Sequence, residues 1–271
     1  MIFEEKKFQF GIIGCGNIGT AIAGGLIKYG NVPAEKICAS DIDISKTEGF
    51  KRVFNIQILQ QNTLAENSRF IILAVKPKDI PQLCSEISSS VENTSVIISV
   101  AAGITIESIH KFFGRKVPTI RIMPNLAIEN GKGIIGYCWD GVDSNILKEV
   151  IEIFSRTSLC IPVKEQDMFL ITAVAGSGPG FLFYFAEIIH RYLIGKNINE
   201  ETSRKITATL FEGTGLMLAL SEQTPSVLKE KVCSPGGTTL AGIEKMREKN
   251  IDRILTDAFD AALKRAIELS K

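Results

Sequence analysis

The stretch Phe8-Gln9-Phe10-Gly11-Ile12-Ile13-Gly14-Cys15-Gly16-Asn17-Ile18-Gly19 constrains this chain most. An apolar run with strand character turns on glycines and passes into a helical pattern over 20–29. Gly14, Gly16 and Gly19 fall in the spacing G-x-G-x-x-G between strand and helix, which is where a dinucleotide's pyrophosphate is bound. Gly14 permits the tight turn, Gly16 lets backbone approach the pyrophosphate, and Gly19 lets helix and strand pack closely. The N–H groups at the helix start, at Asn17 and Ile18, then open toward an anion. The alternative is a glycine turn used only for packing. The position inside a β-α-β pattern favours nucleotide binding.

A second strand over 36–39 ends at Ser40 and Asp41, with Asp43 close behind. An acid about 20 residues past the glycines is placed to bond ribose hydroxyls. Asp41 or Asp43 could equally begin the helix expected at 44–50 as its cap. A weak strand at 55–58 and a short helix from residue 63 follow. Residues 69–75 are almost continuously apolar, as in a parallel strand covered on both faces, and Lys76-Pro77 ends them. A helix is expected at 79–88, a β-branched strand at 94–100, and then Ala101-Ala102-Gly103, whose small side chains leave room for a ligand at a strand's carboxyl end. A tight strand-to-helix turn before a helix at 104–112 would use the same residues. Further strands are expected at 118–123 and 131–139, with an amphipathic helix at 143–156.

From residue 164 onward the pattern is helical: 166–175, 179–194, 200–220, 225–232, 238–248 and 251–269. The expected class is therefore α/β: a Rossmann-type, mostly parallel sheet over 1–163, then a second, all-helical domain over 164–271. The helix at 179–194 is apolar nearly all round and must be buried. A small helical domain offers too little interior for it, so an interface between subunits is expected. Two glycine-rich turns precede helices: Ala175-Gly176-Ser177-Gly178-Pro179 and Ser234-Pro235-Gly236-Gly237-Thr238-Thr239. Either could grip a carboxylate through backbone N–H groups or simply cap its helix.

Composition narrows the classes further. A formal net charge of +1, with basic residues scattered, gives no footprint for nucleic acid or an anionic membrane. Six cysteines without a C-x-x-C read as buried reduced thiols rather than a zinc site or disulfide framework. The N-terminus has no secretory pattern, and no apolar run looks long enough to span a bilayer, so a cytoplasmic protein without membrane or nucleic-acid partners is expected. The two histidines, His110 and His190, both sit in helical patterns. No nucleophile or metal motif is present, and no metal is expected. That scarcity suits a reaction needing little acid–base help.

With these motifs in place, the sequence resembles the pyrroline-5-carboxylate reductase family over essentially its whole length. The resemblance rests on Gly14 to Gly19, Ala74-Val75-Lys76-Pro77, Val100-Ala101-Ala102-Gly103, Met123-Pro124-Asn125, Gly176-Ser177-Gly178-Pro179, Glu222-Gln223 and Ser234-Pro235-Gly236-Gly237-Thr238-Thr239. It implies NADP(H) or NAD(H) as cofactor, reduction of 1-pyrroline-5-carboxylate to L-proline, a homodimer built from the helical domain, and assembly of dimers up to a decamer. It implies cofactor contacts from Gly14, Gly16, Asn17, Ile18, Gly19, Ser40, Asn62, Ala74, Val75, Lys76 and Pro77, with Ala101, Ala102 and Asn125 near the nicotinamide. It implies Ser234, Gly237, Thr238 and Thr239 as holders of the substrate carboxylate and ring nitrogen, Glu222 nearby, and Thr239 as the catalytic hydroxyl. Asp41 stands where the family often has a small or basic residue. Leu126-Ala127, Ala175 and Phe181 also depart from its usual residues. A second reading is a non-catalytic paralogue that binds nucleotide as a sensor or interaction protein, against which the retained Ser-Pro-Gly-Gly-Thr-Thr stretch argues.

Overall fold

The computed structural model describes residues 6–269. The reading of the N-terminus as lacking a secretory pattern falls largely on residues 1–5, outside the described residues. The chain divides into two compact units: one runs through Gly176 and takes in the chain from Ala262 onward, the other is Ser177–Ala261.

Among the described residues the first unit is built on eight strands: β1 (Phe8–Ile13), β2 (Ile37–Ser40), β3 (Gln57–Ile58), β4 (Ser68–Leu73), β5 (Val96–Ser99), β6 (Thr119–Pro124), β7 (Gly133–Asp140) and β8 (Ser158–Pro162). Their order across the sheet is β3-β2-β1-β4-β5-β6-β7-β8. The first six run parallel, β7 is antiparallel to β6, and β8 is parallel to β7. This is the doubly wound Rossmann order, whose direction reverses between β1 and β4. Helices α1 (Asn17–Lys28), α2 (Ile44–Phe54), α3 (Gln61–Asn67), α4 (Ile80–Ile87), α5 (Ile106–Phe113) and α6 (Ser144–Ser155) cover the two faces. β8 is an addition to the expected strands. Its apolar run, Leu159-Cys160-Ile161, is only three residues long before Pro162, and none of the three is buried.

The continuous apolar strands are explained by burial on both faces. One side of the sheet packs Phe10, Ile12, Ile72, Ile98, Ile120 and Phe154 with Ile22 and Leu26 of α1. The other packs Phe8, Ile13, Ile71, Leu73 and Ile97 with Leu64, Leu83, Ile87 and Ile109. Phe10 meets Phe70 at 5.2 Å and Phe154 edge-on at 6.2 Å between ring centroids. Helix ends follow local chemistry. Asp43 caps α2 by accepting from the Ser45 N–H, and Asn55 closes it at φ 53°. Thr105 caps α5, and Gly114 closes it at φ 68°.

After β8 the chain becomes helical: a single turn at Glu165–Asp167, α7 (Met168–Ile171), a π-turn at Thr172–Gly176, α8 (Gly178–Ile194), α9 (Glu200–Leu220), α10 (Pro225–Lys231), α11 (Thr238–Glu248) and α12 (Ile251–Glu268). The expected helix over 166–175 is thus broken into distinct turns. The helical run Glu165–Ile194 is by length and composition apolar enough to cross a membrane, which corrects the expectation that no such run exists. The reason is plain in retrospect: no charged residue lies between Asp167 and Glu187.

In the second unit α8 and α9 pack together, and Phe181 meets Phe259 edge-on at 5.1 Å. No residue of α8 is buried in the single chain, and α9 buries only Ser203 and Thr207. Phe183 is 74% exposed and Leu220 84%. The helices thus leave a broad apolar surface uncovered.

Phe70 tests the core directly, since it is fully buried between β1 and the face covered by α6. Phe70→Ala should lower unfolding free energy by about 3–5 kcal/mol, the usual loss for a core phenylalanine. Urea denaturation followed by circular dichroism checks this, and a loss below about 1 kcal/mol would contradict the packing described.

Candidate active site

The glycine loop joins β1 to α1 at the carboxyl end of the sheet. Gly14 has φ +108°, a region closed to most side chains, and a Cβ there would stand 2.5 Å from the Ala74 carbonyl oxygen. A Cβ on Gly19 would run into the Gly14 carbonyl oxygen. At Gly16 a Cβ would meet nothing within 4 Å. The three glycines therefore differ in purpose: Gly14 and Gly19 are required by the fold, and Gly16 faces open space. Gly16 is also the N-cap of α1, and no side chain caps that end. The first N–H groups of α1 are left for an anion, and the residues present fit a dinucleotide pyrophosphate.

Neighbouring strands hold this loop in place. The Gly14 N–H donates to the Ser40 carbonyl at 2.8 Å, and the Ala74 N–H donates to the Ile13 carbonyl at 2.7 Å. The Cys15 N–H donates to Asp41 Oδ2 at 2.7 Å, and the Asp43 N–H donates to Asp41 Oδ1 at 2.9 Å. The two roles open to the acids after β2 are thereby separated: Asp43 is the helix cap, and Asp41 is turned onto the glycine loop. Ser40 and Ala74 are buried, whereas Lys76 and Asn62, in the first turn of α3, are exposed. Val75 and Pro77 are half-buried. Ala101 is buried and Ala102 half-buried at the end of β5, where Gly103 turns the chain at φ +80°.

Asn125, after β6, is buried with both ends of its amide engaged: Nδ2 donates to the Ala175 carbonyl at 3.1 Å, and Oδ1 accepts from the Ile134 N–H at 3.2 Å. It thereby braces the π-turn Thr172–Gly176. Nearby, the buried Arg121 pairs with Glu165 at 3.0 Å, and Glu165 also accepts from the Ile106 N–H at 2.7 Å. Sequence reading missed this pair, because a charge inside an apolar strand looks like an interruption until its partner is known. His110 is held structurally, with Nε2 3.0 Å from the Val117 carbonyl. Burial pushes the Cys15 and Cys84 thiols up to about 12, with Asp41 adding to the effect on Cys15, and pushes Cys38 and Cys138 up to about 11. These thiols stay protonated at neutral pH and are not nucleophiles.

In the second unit Ser234-Pro235-Gly236-Gly237 forms a turn before α11. Gly236 has φ +69°, the Gly237 N–H donates to the Ser234 carbonyl at 2.9 Å, and a Cβ on Gly237 would run into Ser234 Oγ. Gly237 is the N-cap of α11, without a side-chain cap. Thr238 and Thr239 open the helix and are exposed, as are Ser234 and Glu222. The expected cofactor residues thus lie in the first unit and the expected substrate residues in the second.

A sheet of this order with an open glycine loop defines a dinucleotide-binding protein. Residues 165–269 match the family model for pyrroline-5-carboxylate reductase dimerisation, and residues 9–103 match a model described as NADP oxidoreductase, coenzyme F420-dependent. The chain is 32% identical to pyrroline-5-carboxylate reductase 3 of Danio rerio, covering 97% of this chain and 92% of the relative. It is 31% identical to pyrroline-5-carboxylate reductase of Corynebacterium melassecola, covering 96% and 98%. The crystal structure of Plasmodium falciparum pyrroline carboxylate reductase with NADP bound superposes with a TM-score of 0.88 at 24% identity, covering 98% of this chain and 99% of that one. The chain belongs to the pyrroline-5-carboxylate reductase family.

The glycines allow a test that separates fold from binding. Gly16→Val should leave the melting temperature nearly unchanged while weakening NAD(P)H binding at least about tenfold, because its side chain fills only open space. Gly14→Ala should destabilise the fold through its positive φ and the Ala74 carbonyl. Thermal melts paired with fluorescence titration of the nucleotide distinguish the two.

Proposed function

We propose that the chain reduces 1-pyrroline-5-carboxylate to L-proline with hydride from NADPH or NADH, in proline biosynthesis. The observation that carries this reading is the presence, in one chain of this family, of the open glycine loop and the Ser-Pro-Gly-Gly-Thr-Thr turn. Gly14, Gly16, Asn17, Ile18, Gly19, Ser40, Asp41, Asn62, Ala74, Val75, Lys76 and Pro77 hold the dinucleotide. Ala101, Ala102 and Asn125 form the floor beside the nicotinamide, Asn125 through its brace on the π-turn. When bound, the nicotinamide supplies the hydride. The turn at Ser234 and Gly237 and the N–H groups opening α11 grip the substrate carboxylate, with Thr238, Thr239 and Glu222 beside them. We assign the dinucleotide part to 1–163 and the substrate and assembly part to 164–271.

The substrate is a cyclic imine, which takes a proton from water near neutral pH and then accepts hydride readily at C5. The protein's task is to orient that carbon, not to run heavy proton transfer. The Thr239 hydroxyl bonds the ring nitrogen as it becomes an amine. The apolar helices of the second part pair with a second copy, giving a homo-oligomer that we take to be a dimer or an assembly of dimers up to a decamer. We place the protein in the cytoplasm, without nucleic-acid or membrane partners; the near-neutral charge and the use of the apolar helical run in assembly support this.

Oxidation of NAD(P)H at its absorbance band in the presence of pyrroline-5-carboxylate tests the activity. Binding of nucleotide without turnover would instead favour a sensor. Thr239→Ala should lower kcat by roughly ten- to a thousandfold, with cofactor affinity unchanged. Wild-type turnover in Thr239→Ala together with a crippled Thr238→Ala would move the role one residue back. Sedimentation at micromolar concentration should show at least a dimer, and a folded, active monomer would refute the assembly.

A further inference from the structure

Asp41 is held more firmly than a surface carboxylate after a strand need be. It follows directly on β2, one residue beyond the carbonyl that receives the Gly14 N–H. Its two oxygens are fixed separately, Oδ2 by the Cys15 N–H at 2.7 Å and Oδ1 by the Asp43 N–H at 2.9 Å. A carboxylate anchored at both oxygens cannot swing aside to admit another anion. It retains unused lone pairs, since an ionised carboxylate has about four acceptor sites and no donor. It can therefore accept from hydroxyl groups and can give nothing to a phosphate.

The surroundings reinforce this. Ile42 and Ile44, on either side of Asp43, are exposed, and their side chains offer no donor. The Asp43 carboxylate is taken by the Ser45 N–H at 3.0 Å and the Ser45 hydroxyl at 2.6 Å. Lys46, the first basic residue past β2, lies 3.4 Å from that same Asp43. Lys51 and Arg52 stand in the last turn of α2. At about 1.5 Å of rise per residue, that is roughly two helical turns from its start. A 2′-phosphate brings a charge of about −1.5 to −2 against two carboxylates and one lysine that is already engaged.

We propose that Asp41 is the specificity-determining residue for the cofactor: it accepts from the ribose hydroxyls of NADH and disfavours the 2′-phosphate of NADPH. This deepens the reading of the glycine loop as a dinucleotide site and depends on it. The preference belongs to binding, so it is measurable without the imine substrate.

The test is calorimetric or fluorescence titration of the wild-type protein with NADH and with NADPH. NADH should bind at least about tenfold more tightly, and the gap should narrow as salt is raised, because added ions screen the repulsion. Equal binding, or tighter binding of NADPH, overturns the inference while leaving the dinucleotide site intact. Failure of both nucleotides to bind overturns the dinucleotide reading itself. Asp41→Ser and the near-isosteric Asp41→Asn locate the cause. Either variant loosens the glycine loop for both nucleotides alike, so the ratio of affinities is the quantity read. It should move at least about tenfold toward NADPH in a folded variant. A wild-type preference for NADH that survives in both variants overturns the assignment to Asp41. Should neither variant fold, the wild-type ratio and its salt dependence still decide whether the carboxylate field discriminates.

Discussion

The position of the Gly14 carbonyl against the backbone of Gly19 sets how closely α1 can approach β1. No side chain fits between them, and none fits between Gly14 and the Ala74 carbonyl. β1 is paired on both sides, with β2 and with β4, and the loop leaving it is held by Ser40 of one and the residue after the other. The anion site at the start of α1 is thus a by-product of tight packing. The helix end is kept free of side-chain caps, and its N-cap, Gly16, is the fingerprint glycine around which space is open.

Much of this was legible in the sequence because each element carried a local signal. The glycine spacing, the apolar runs of β1 and β4 and the helices at Glu200–Leu220 and Thr238–Glu248 matched their expected places. What was not legible depended on partners distant along the chain. β8 has few buried side chains of its own and is defined by pairing with β7. The π-turn at Thr172–Gly176 depends on Asn125, which sequence reading connected with the nicotinamide but not with a carbonyl fifty residues further on. Periodicity cannot report an extra residue in a helical turn, since the apolar pattern continues across it. Asp41 and Asp43 were interchangeable on paper. Only the placement of the Cys15 N–H separates a loop brace from a helix cap.

The helical part shows how composition misleads where a chain carries a dimerisation surface. A stretch without charge between Asp167 and Glu187 satisfies a membrane criterion. The same stretch begins the dimerisation model that matches 165–269. Its exposed residues include the consecutive Leu182, Phe183 and Tyr184, and α9, which packs against this helix, exposes Ile206, Leu210 and Leu216. A lipid-facing helix needs no second apolar helix packed alongside it, whereas a subunit interface gains area from each one. The interface reading therefore accounts for α8 and α9 together.

The scarcity of titratable chemistry has a common explanation with this architecture. His110 is bonded to a main-chain carbonyl, four cysteines are held protonated by burial, and Arg121 and Glu165 neutralise each other. Each is taken up in structure, and the Ser-Pro-Gly-Gly-Thr-Thr turn offers hydroxyls and an uncapped helix N-terminus. Such groups suit a reaction whose proton arrives with the substrate, because they orient anions and nitrogen lone pairs without needing a tuned ionisation. A chain that relied on a poised acid or base would have to desolvate it, and its pKa would then depend on every neighbouring charge. Positioning by N–H groups and hydroxyls is insensitive to such neighbours. With the site as proposed, surface residues such as Lys148 and Lys249 can vary without disturbing the chemistry, and the demands on sequence would concentrate in the glycine loop and the Ser-Pro-Gly-Gly-Thr-Thr turn.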